Sequence, residues 1–207
     1  MSGMTDTEGV IQYRLDHRDG GLPRQADYEG LFDWFARCRQ QGLLGRDPQR
    51  YDGYAYGNIS VRATTGFVIS GTQTGGQSRL GQNDLAWVTR FDSAANTLTA
   101  QGPSRPSSEA MTHGEVYAEL PAVGAVIHAH SPAIWGKAAA LCLPVTDAGA
   151  SYGTPAMAQE VRRLLQATPR AGVIAMGGHE DGVIAYAATM PEAGRLLLDA
   201  LARAGAA

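Results

Sequence analysis

The sequence predicts a single α/β domain of the layered α/β/α type, with a central, mainly antiparallel sheet between helices. The chain has 207 residues, the size of one large domain with its own apolar core. Four short β-type segments follow one another between residues 57 and 100, and consecutive strands of this kind pair antiparallel. Apolar strands and amphipathic helices then alternate to the C-terminus, and such helices pack on the faces of a sheet.

The chain begins with a polar, glycine-rich stretch, residues 1–25, which we predict to be a flexible arm. Residues 26–207 form the predicted domain. Its first element is an amphipathic helix over 26–41, because apolar residues recur there close to helical spacing. These residues are Tyr28, Leu31, Phe32, Phe35 and Ala36. Residues 42–56 are predicted to be an irregular connection, and they include three tyrosines.

The early predicted strands are NISVRA, FVIS, LAWVTRF and TLTA. The gap after the second, GTQTGGQSRLGQND, is long for a turn, and such loops in compact domains are often functional. A helix is predicted from Ser107 or Ser108, as its N-cap, to about Leu120. AVIHAH at 125–130 reads as a buried strand, and SPAIWGKAAAL reads as a helix opened by its serine and proline. A helix (PAMAQEVRRLLQAT), two strands (GVIAMGG and DGVIAYA) and a last helix (PEAGRLLLDALARAGA) complete the pattern.

Composition argues against several classes of function. Lys plus Arg is 17 and Asp plus Glu is 20, a net charge of −3, so the basic surface of a nucleic-acid binder is missing. No run of 18 apolar residues is present, so we expect no membrane span, and the polar N-terminus does not resemble a signal peptide. We expect a cytoplasmic protein in which Cys38 and Cys142 are buried thiols.

The HAH motif at 128–130 indicates a metal site. Alternate residues of a strand point to one face, so His128 and His130 can reach one ion. Imidazole nitrogen suits zinc best, while manganese, cobalt and iron are alternatives. The other interpretation is two polar residues on an exposed strand face, which the apolar flank AVI argues against.

A third ligand is needed, and the chain has five histidines. We favour His179, which follows the strand GVIAMGG at a glycine-rich turn. His113 is the alternative, because it lies four residues after Glu109 and so shares a helix face with it. His17 lies in the polar arm and is set aside.

Glu109 is open to two interpretations. A carboxylate in the first turn of a helix is stabilised by the helix dipole, and it could do no more than that. Next to a metal it could instead bind the ion or exchange a proton during catalysis. The segment alone favours neither.

An anion pocket is predicted around the start of the same helix. Ser107 and Ser108 offer hydroxyls and backbone N–H groups. The loop SGTQTGG at 70–76 offers glycine for close approach, hydroxyls, and the amide of Gln73, and Asn58 adds another amide. Ordinary turn chemistry is the alternative for this loop.

Taken in order, GNIS, the glycine-rich loop, PSSE, HAHS and a downstream histidine resemble the class II aldolase/adducin family, as in L-fuculose-phosphate aldolase. The similarity covers about residues 26–205, and its most specific part is Ser107-Ser108-Glu109, His113, Tyr117 and Pro121, followed by HAHS. It implies a mainly antiparallel sheet between helical layers and a C4 homotetramer with active sites at subunit interfaces.

By position, the resemblance also implies the site residues. The zinc ligands would be His128, His130 and His179, with Glu109 binding the metal in the empty site and shuttling protons. The phosphate or substrate pocket would comprise Asn58, Ser70, Gly71, Thr72, Ser107, Ser108 and Tyr152.

The implied chemistry is that of a metal-dependent lyase in carbohydrate metabolism. A small sugar phosphate or hydroxy-oxo acid would bind the metal through two oxygens and pass through an enediolate, leading to aldol cleavage or decarboxylation. Glutamate at 109 favours this over a pentulose-phosphate 4-epimerase, where aspartate is usual. A non-catalytic module like the adducin head is a further alternative.

Three features depart from the family pattern. The third-ligand motif usually reads His-Gly but here reads His-Glu-Asp-Gly at 179–182, and its added carboxylates could orient His179 or lie in an exposed turn. The loop SGTQTGG lacks the usual proline, so a carboxylated substrate is an alternative to a phosphorylated one. Of the aldolase's two tyrosines, the first position falls near Ala148 and no tyrosine follows Tyr186, a loss for which Tyr152 could compensate.

Overall fold

A computed structural model describes residues 10–206 of the chain. Over this range it has the following strands: β1 (Arg14–Arg18), β2 (Gly45–Arg46), β3 (Ala55–Tyr56), β4 (Asn58–Arg62), β5 (Phe67–Ser70), β6 (Leu85–Asp92), β7 (Thr97–Gln101), β8 (Ala125–His130), β9 (Gly172–Ala175) and β10 (Gly182–Ala187). Strands β2 and β3 form a small separate pair. The other eight form one sheet in the order β1-β7-β6-β5-β4-β8-β10-β9. Within the described residues only the β1–β7 pair of that sheet is parallel, so the predicted mainly antiparallel sheet is confirmed.

The described α-helices lie near the predicted positions. They are α1 (Tyr28–Gln40), α2 (Ala110–Glu119), α3 (Pro132–Gly136), α4 (Pro155–Ala167) and α5 (Met190–Ala206). Local capping explains where several begin. The Asp27 carboxylate accepts from Gly30 N at 2.9 Å before α1, and Ser131 and Thr154 cap α3 and α4, each followed by proline. Such caps satisfy N–H groups that have no partner inside the helix.

The sheet has an apolar cluster on each face, which confirms the layered α/β/α fold. On one face α1 and α5 contribute Leu31, Phe35 and Leu197, and on the other α2 and α4 contribute Met111 and Val161. Burying a side chain such as Leu31 or Phe35 completely stabilises the fold by about 2 kcal/mol. Both layers are needed because each face of the sheet is apolar.

Strand β8 lies near the centre of the sheet and alternates between the two layers. Ile127 and Ala129 belong to the α1–α5 cluster, whereas Val126 belongs to the α2–α4 cluster. By the same alternation His128 and His130 face the α2–α4 layer. The fold therefore directs both imidazoles toward the helix that follows Glu109.

The start of α2 differs from the prediction. Neither Ser107 nor Ser108 is its N-cap, because the helix begins at Ala110 and Glu109 occupies the cap position. Ser107 N donates to Ser70 O at 3.2 Å, and Pro106 bridges to Gly71. These bonds hold the segment against the neighbouring loop, so the helix cannot begin until the chain has left it.

Two other expectations change. The predicted arm includes β1, which adds an edge strand to the sheet; residues 1–9 lie outside the described part of the chain. Cys38 is buried as expected, but Cys142 is exposed and has a φ of 56°, because it lies in a turn after α3 rather than in a buried run.

In residues 10–206 no helix has the length and apolar character that crossing a bilayer requires.

Candidate metal centre

Three histidines converge at one end of β8. His128 and His130 lie on this strand, and His179 lies in the turn between β9 and β10. Because β10 pairs antiparallel with β8, with Gly182 opposite His130, the turn brings His179 back to the same end. One ligand atom from each histidine lies within 4.8 Å of those of the other two. Nitrogens bound to one zinc ion lie about 4 Å apart at most, so a small contraction would close the set.

Burial keeps the imidazoles of His128 and His130 neutral. The three histidines are 4% exposed or less. Burial, and then the neighbouring His179, hold the pKa of His128 and of His130 well below the usual value. Neutral imidazole is the form that binds a metal ion.

The orientation of His128 also suits a cation. Its Nδ1 lies 3.2 Å from the carbonyl oxygen of Val183, which assigns the proton to Nδ1 and a lone pair to Nε2. That Nε2 is buried and has no hydrogen-bond partner among the described residues. A backbone carbonyl behind a ligating imidazole is the usual arrangement in metal sites, so the donor set fits a divalent ion.

Glu109 lies against the same cluster. Its side chain is 1% exposed, and Oε1 is 4.0 Å from His179 Nδ1. Thr112, one turn later on α2, donates from Oγ1 to Oε2 at 2.9 Å. The carboxylate is thus held by one oxygen while the other faces the histidines, an arrangement suited to binding a cation or moving a proton.

His113, the alternative third ligand, has a different environment. Its Nδ1 is 2.7 Å from Ser60 Oγ, and Ser60 Oγ is 2.8 Å from the Tyr117 hydroxyl. Complete burial lowers the pKa of His113 to about 3. The structure places it outside the three-histidine cluster, in a polar network that joins α2 to β4.

The segments of the predicted anion pocket lie next to one another, but many of their polar groups already have partners. The N–H groups of Gly71, Thr72 and Ser107 donate to carbonyls of Asp84, Arg105 and Ser70. The Ser70 hydroxyl accepts from Ile59 N at 3.1 Å. These contacts fix the 70–72 loop against the 105–108 segment instead of pointing toward a ligand.

Asn58 and Ser108 remain candidates for binding a ligand. Asn58 lies opposite His128 in the β4–β8 pairing, and its Oδ1 is buried with no hydrogen-bond partner in the described part of the chain. Ser108 is buried beside Glu109. Polar groups near the histidines therefore lie on both β4 and the segment before α2.

Aromatic side chains line the histidines, and only one was predicted. Tyr152 stacks on His179 with 4.6 Å between ring centroids. Sequence reasoning missed Tyr51 and Tyr56, whose rings lie 4.6 Å and 5.4 Å from that of His130. The signal was the group of tyrosines in the 42–56 connection, but nothing in their spacing indicates a shared partner.

The sequence of the chain matches a known family. The model for the class II aldolase and adducin N-terminal domain matches residues 47–206, which include the three histidines and Glu109. The chain belongs to this family.

Two curated proteins resemble parts of this class II aldolase-family chain. A 5-methylthioribulose-1-phosphate/5-deoxyribulose-1-phosphate aldolase of Rhodospirillum rubrum is 43% identical over 77 residues, 37% of this chain and 31% of that protein. A methylthioribulose-1-phosphate dehydratase of Gluconobacter oxydans is 29% identical over 102 residues, 48% of this chain and 47% of that protein. The matches thus span about a third and about half of these relatives.

Solved class II aldolase structures share the fold. The L-fuculose-1-phosphate aldolase of Thermus thermophilus superimposes with a TM-score of 0.67 at 20% identity, over 86% of this chain and 90% of that one. A sugar-phosphate aldolase of Thermotoga maritima gives 0.63 at 13% identity, over 84% and 89%. At such low identity the likeness establishes the architecture alone, and low identity throughout makes this chain a divergent member of the class II aldolase family.

Proposed function

We propose that this protein is a divalent-metal-dependent lyase that acts on a small phosphorylated ketose. The observation that carries the proposal is the buried convergence of His128, His130, His179 and Glu109. Three neutral imidazoles and one carboxylate form a common catalytic donor set for zinc and similar ions. A purely structural role would not require an acid held beside the histidines.

The three histidines would hold the metal through one nitrogen each, and Glu109 would contact it in the absence of substrate. A bound divalent ion supplies Lewis-acid polarisation of a ketone and an adjacent hydroxyl. Zinc is the best fit, and manganese, cobalt or iron could substitute. Tyr152, stacked on His179, would limit the access of water to this side of the site.

Glu109 would serve as the acid/base. The names of the two curated relatives describe aldol cleavage and dehydration. Both reactions transfer a proton at carbon 3 of a ketose, next to the ketone: cleavage of the C3–C4 bond delivers one there, whereas dehydration removes one. The hydrogen bond that Glu109 accepts from Thr112 would keep its carboxylate directed at carbon 3 of the substrate.

The substrate class follows from the same relatives. Both names specify a methylthioribulose phosphorylated at carbon 1, and the name of the aldolase places the methylthio group at carbon 5 and adds 5-deoxyribulose 1-phosphate. We expect Asn58, Thr72 and Ser108 to bind the phosphate, and Ser70, Gly71 and Ser107 to fix their positions. Aldol cleavage is our first choice, because the aldolase has the higher identity.

Metal content tests the first half of this proposal. We expect about one divalent ion per chain in the wild-type protein by mass spectrometry, lost in His130→Ala. Wild-type protein that cannot take up metal would refute the lyase and favour an interaction module like the adducin head.

Product analysis tests the second half. With 5-deoxyribulose 1-phosphate, cleavage releases dihydroxyacetone phosphate and acetaldehyde, whereas dehydration keeps all five carbons and loses one water. Decarboxylation and 4-epimerisation are checked with hydroxy-oxo acids and pentulose 5-phosphates. Metal-loaded protein that converts none of these would contradict the proposed substrate class. Light scattering on the same sample checks the expected homotetramer.

A further inference from the structure

A charged and aromatic cluster lies behind the proposed ligand His130. The Tyr51 hydroxyl donates to Asp181 Oδ2 at 2.7 Å, and Arg50 donates to the same oxygen at 2.7 Å. The Arg50 guanidinium also lies 4.7 Å from the centroid of the Tyr51 ring. The Asp181 side chain is only 12% exposed, so a well-shielded carboxylate joins the 50–52 loop to the turn that carries His179.

The Tyr51 ring extends this cluster to His130. The two ring centroids are 4.6 Å apart and the rings are nearly perpendicular, at 74°. Tyr56 contacts both, with its ring 5.1 Å from that of Tyr51 and 5.4 Å from that of His130. His130 is the last residue of β8, so the sheet supports its backbone while these rings surround its imidazole.

The backbone of the cluster is unusual. Tyr51, Asp52 and Asp181 have φ values of 51°, 53° and 62°, in the left-handed region that residues other than glycine rarely adopt. Such conformations persist where surrounding contacts enforce them, and they are concentrated at functional sites. Here they accompany the 2.7 Å hydrogen bond between the Tyr51 phenol and the Asp181 carboxylate.

We infer that Asp181 and Tyr51 are positioning residues for the metal site: the carboxylate fixes the phenol, and the phenol ring fixes the imidazole of His130. This inference rests on the proposed function, in which His130 is a ligand. Groups that orient a ligating imidazole typically contribute a factor of 10 to 100 in metal affinity. The role differs from direct support of His179, since the Asp181 side chain bonds to residues of the opposite loop.

Charge offers a competing account, and one substitution separates the two. Asp181 neutralises Arg50, whose positive charge lies near His130 and opposes its protonation. Removing Asp181 would leave that guanidinium unopposed and could weaken cation binding by repulsion alone. Tyr51→Phe removes the hydrogen bond that the hydroxyl donates to Asp181 and the one that it accepts from Arg50. It retains the ring and both charges, so it isolates positioning.

The experiment measures zinc affinity by chelator competition and the visible absorption spectrum of Co²⁺-substituted protein, which reports coordination geometry. The variants are Tyr51→Phe, Asp181→Gly and the double variant. Glycine is chosen at 181 because it tolerates the positive φ. Controls are Tyr54→Phe, a hydroxyl removed from the same loop, and Glu180→Gln, an exposed charge removed from the same turn. Thermal melts of metal-free protein check that each variant folds.

We expect Tyr51→Phe and Asp181→Gly each to weaken zinc binding about tenfold or more and to alter the Co²⁺ spectrum, while both controls stay within about twofold of wild type. Because both changes break the same Tyr51–Asp181 hydrogen bond, the double variant should bind zinc no more than about twofold more weakly than the weaker-binding single variant. Folded Tyr51→Phe with wild-type affinity and spectrum overturns the positioning role and leaves the metal site intact. Wild-type protein that binds neither ion overturns the proposed function and this inference together.

Discussion

The buried His113 predicts a specific loss of stability in acid. Its pKa in the folded protein is about 3, against 6.5 in an unfolded chain. Between these values the unfolded histidine binds a proton that the folded one does not, so the free energy of unfolding falls as pH falls through this window. Keeping His113 neutral lowers the free energy of unfolding by about 2 kcal/mol at pH 5 and by about 0.2 kcal/mol at pH 7. Stability should therefore fall by about 2 kcal/mol between pH 7 and pH 5.

Two variants test this calculation in metal-free protein. His113→Gln removes the titrating group, whereas Ser60→Ala removes its hydrogen-bond partner and leaves the imidazole in place. Urea unfolding gives the free energy of unfolding at each pH. Between pH 7 and pH 5 this free energy should fall by about 2 kcal/mol more in wild type and Ser60→Ala than in His113→Gln. His128 and His130 are common to all three proteins, so their contributions cancel. An equal loss in all three proteins would refute the assignment of acid sensitivity to His113.

Three further substitutions have outcomes that the structure fixes in direction. Glu109→Gln should lower kcat by about 10²–10⁴ without changing metal content, and retained turnover would exclude Glu109 as the acid/base. Arg162→Met removes the partner, at 2.8 Å, of the fully buried Glu115, and because Arg162 is 41% exposed we expect a loss of about 2 kcal/mol in urea unfolding; an unchanged midpoint would contradict this. Gly75→Ala places a Cβ 2.3 Å from the Tyr56 carbonyl oxygen, so the loop must shift at a cost of about 1–3 kcal/mol, and KM should rise while metal content stays constant; an unchanged KM would separate this loop from substrate binding.

The fold could be predicted because its signals are local. Short β-type segments between turn residues and continuous apolar runs indicated the strands, and amphipathic periodicity indicated helices such as α1 and α4. The convergence of His128, His130 and His179 was also accessible, since strand alternation pairs the first two and a glycine-rich turn presents the third. The exact start of α2 could not be predicted from the sequence, because Ser107 and Ser108 are good caps in isolation. Only the hydrogen bond to Ser70, from another part of the chain, delays the helix.

The binding pocket shows a second limit of local reasoning. The sequence indicated that the backbone N–H groups at the predicted helix start, including that of Ser107, and the glycine-rich 70–76 loop were available to an anion. In the folded chain the N–H groups of Gly71, Thr72 and Ser107 bond to carbonyls. A sequence shows that a donor exists, but only the tertiary pairing shows where it is used.

The cluster behind His130 lies furthest beyond sequence reasoning, and the cause is chain separation. Arg50 and Asp181 are 131 residues apart, so no periodicity, cap or turn rule relates them. Asp181 has a left-handed backbone conformation, and so has Tyr51, the residue after Arg50; neither residue type favours it. Local preference and tertiary structure therefore disagree at Tyr51, Asp52 and Asp181, and such disagreement is expected where function outweighs local stability. Tyr51 and Tyr152 lie against the proposed ligands His130 and His179, which is the reason to seek the chain-specific chemistry in these two phenols.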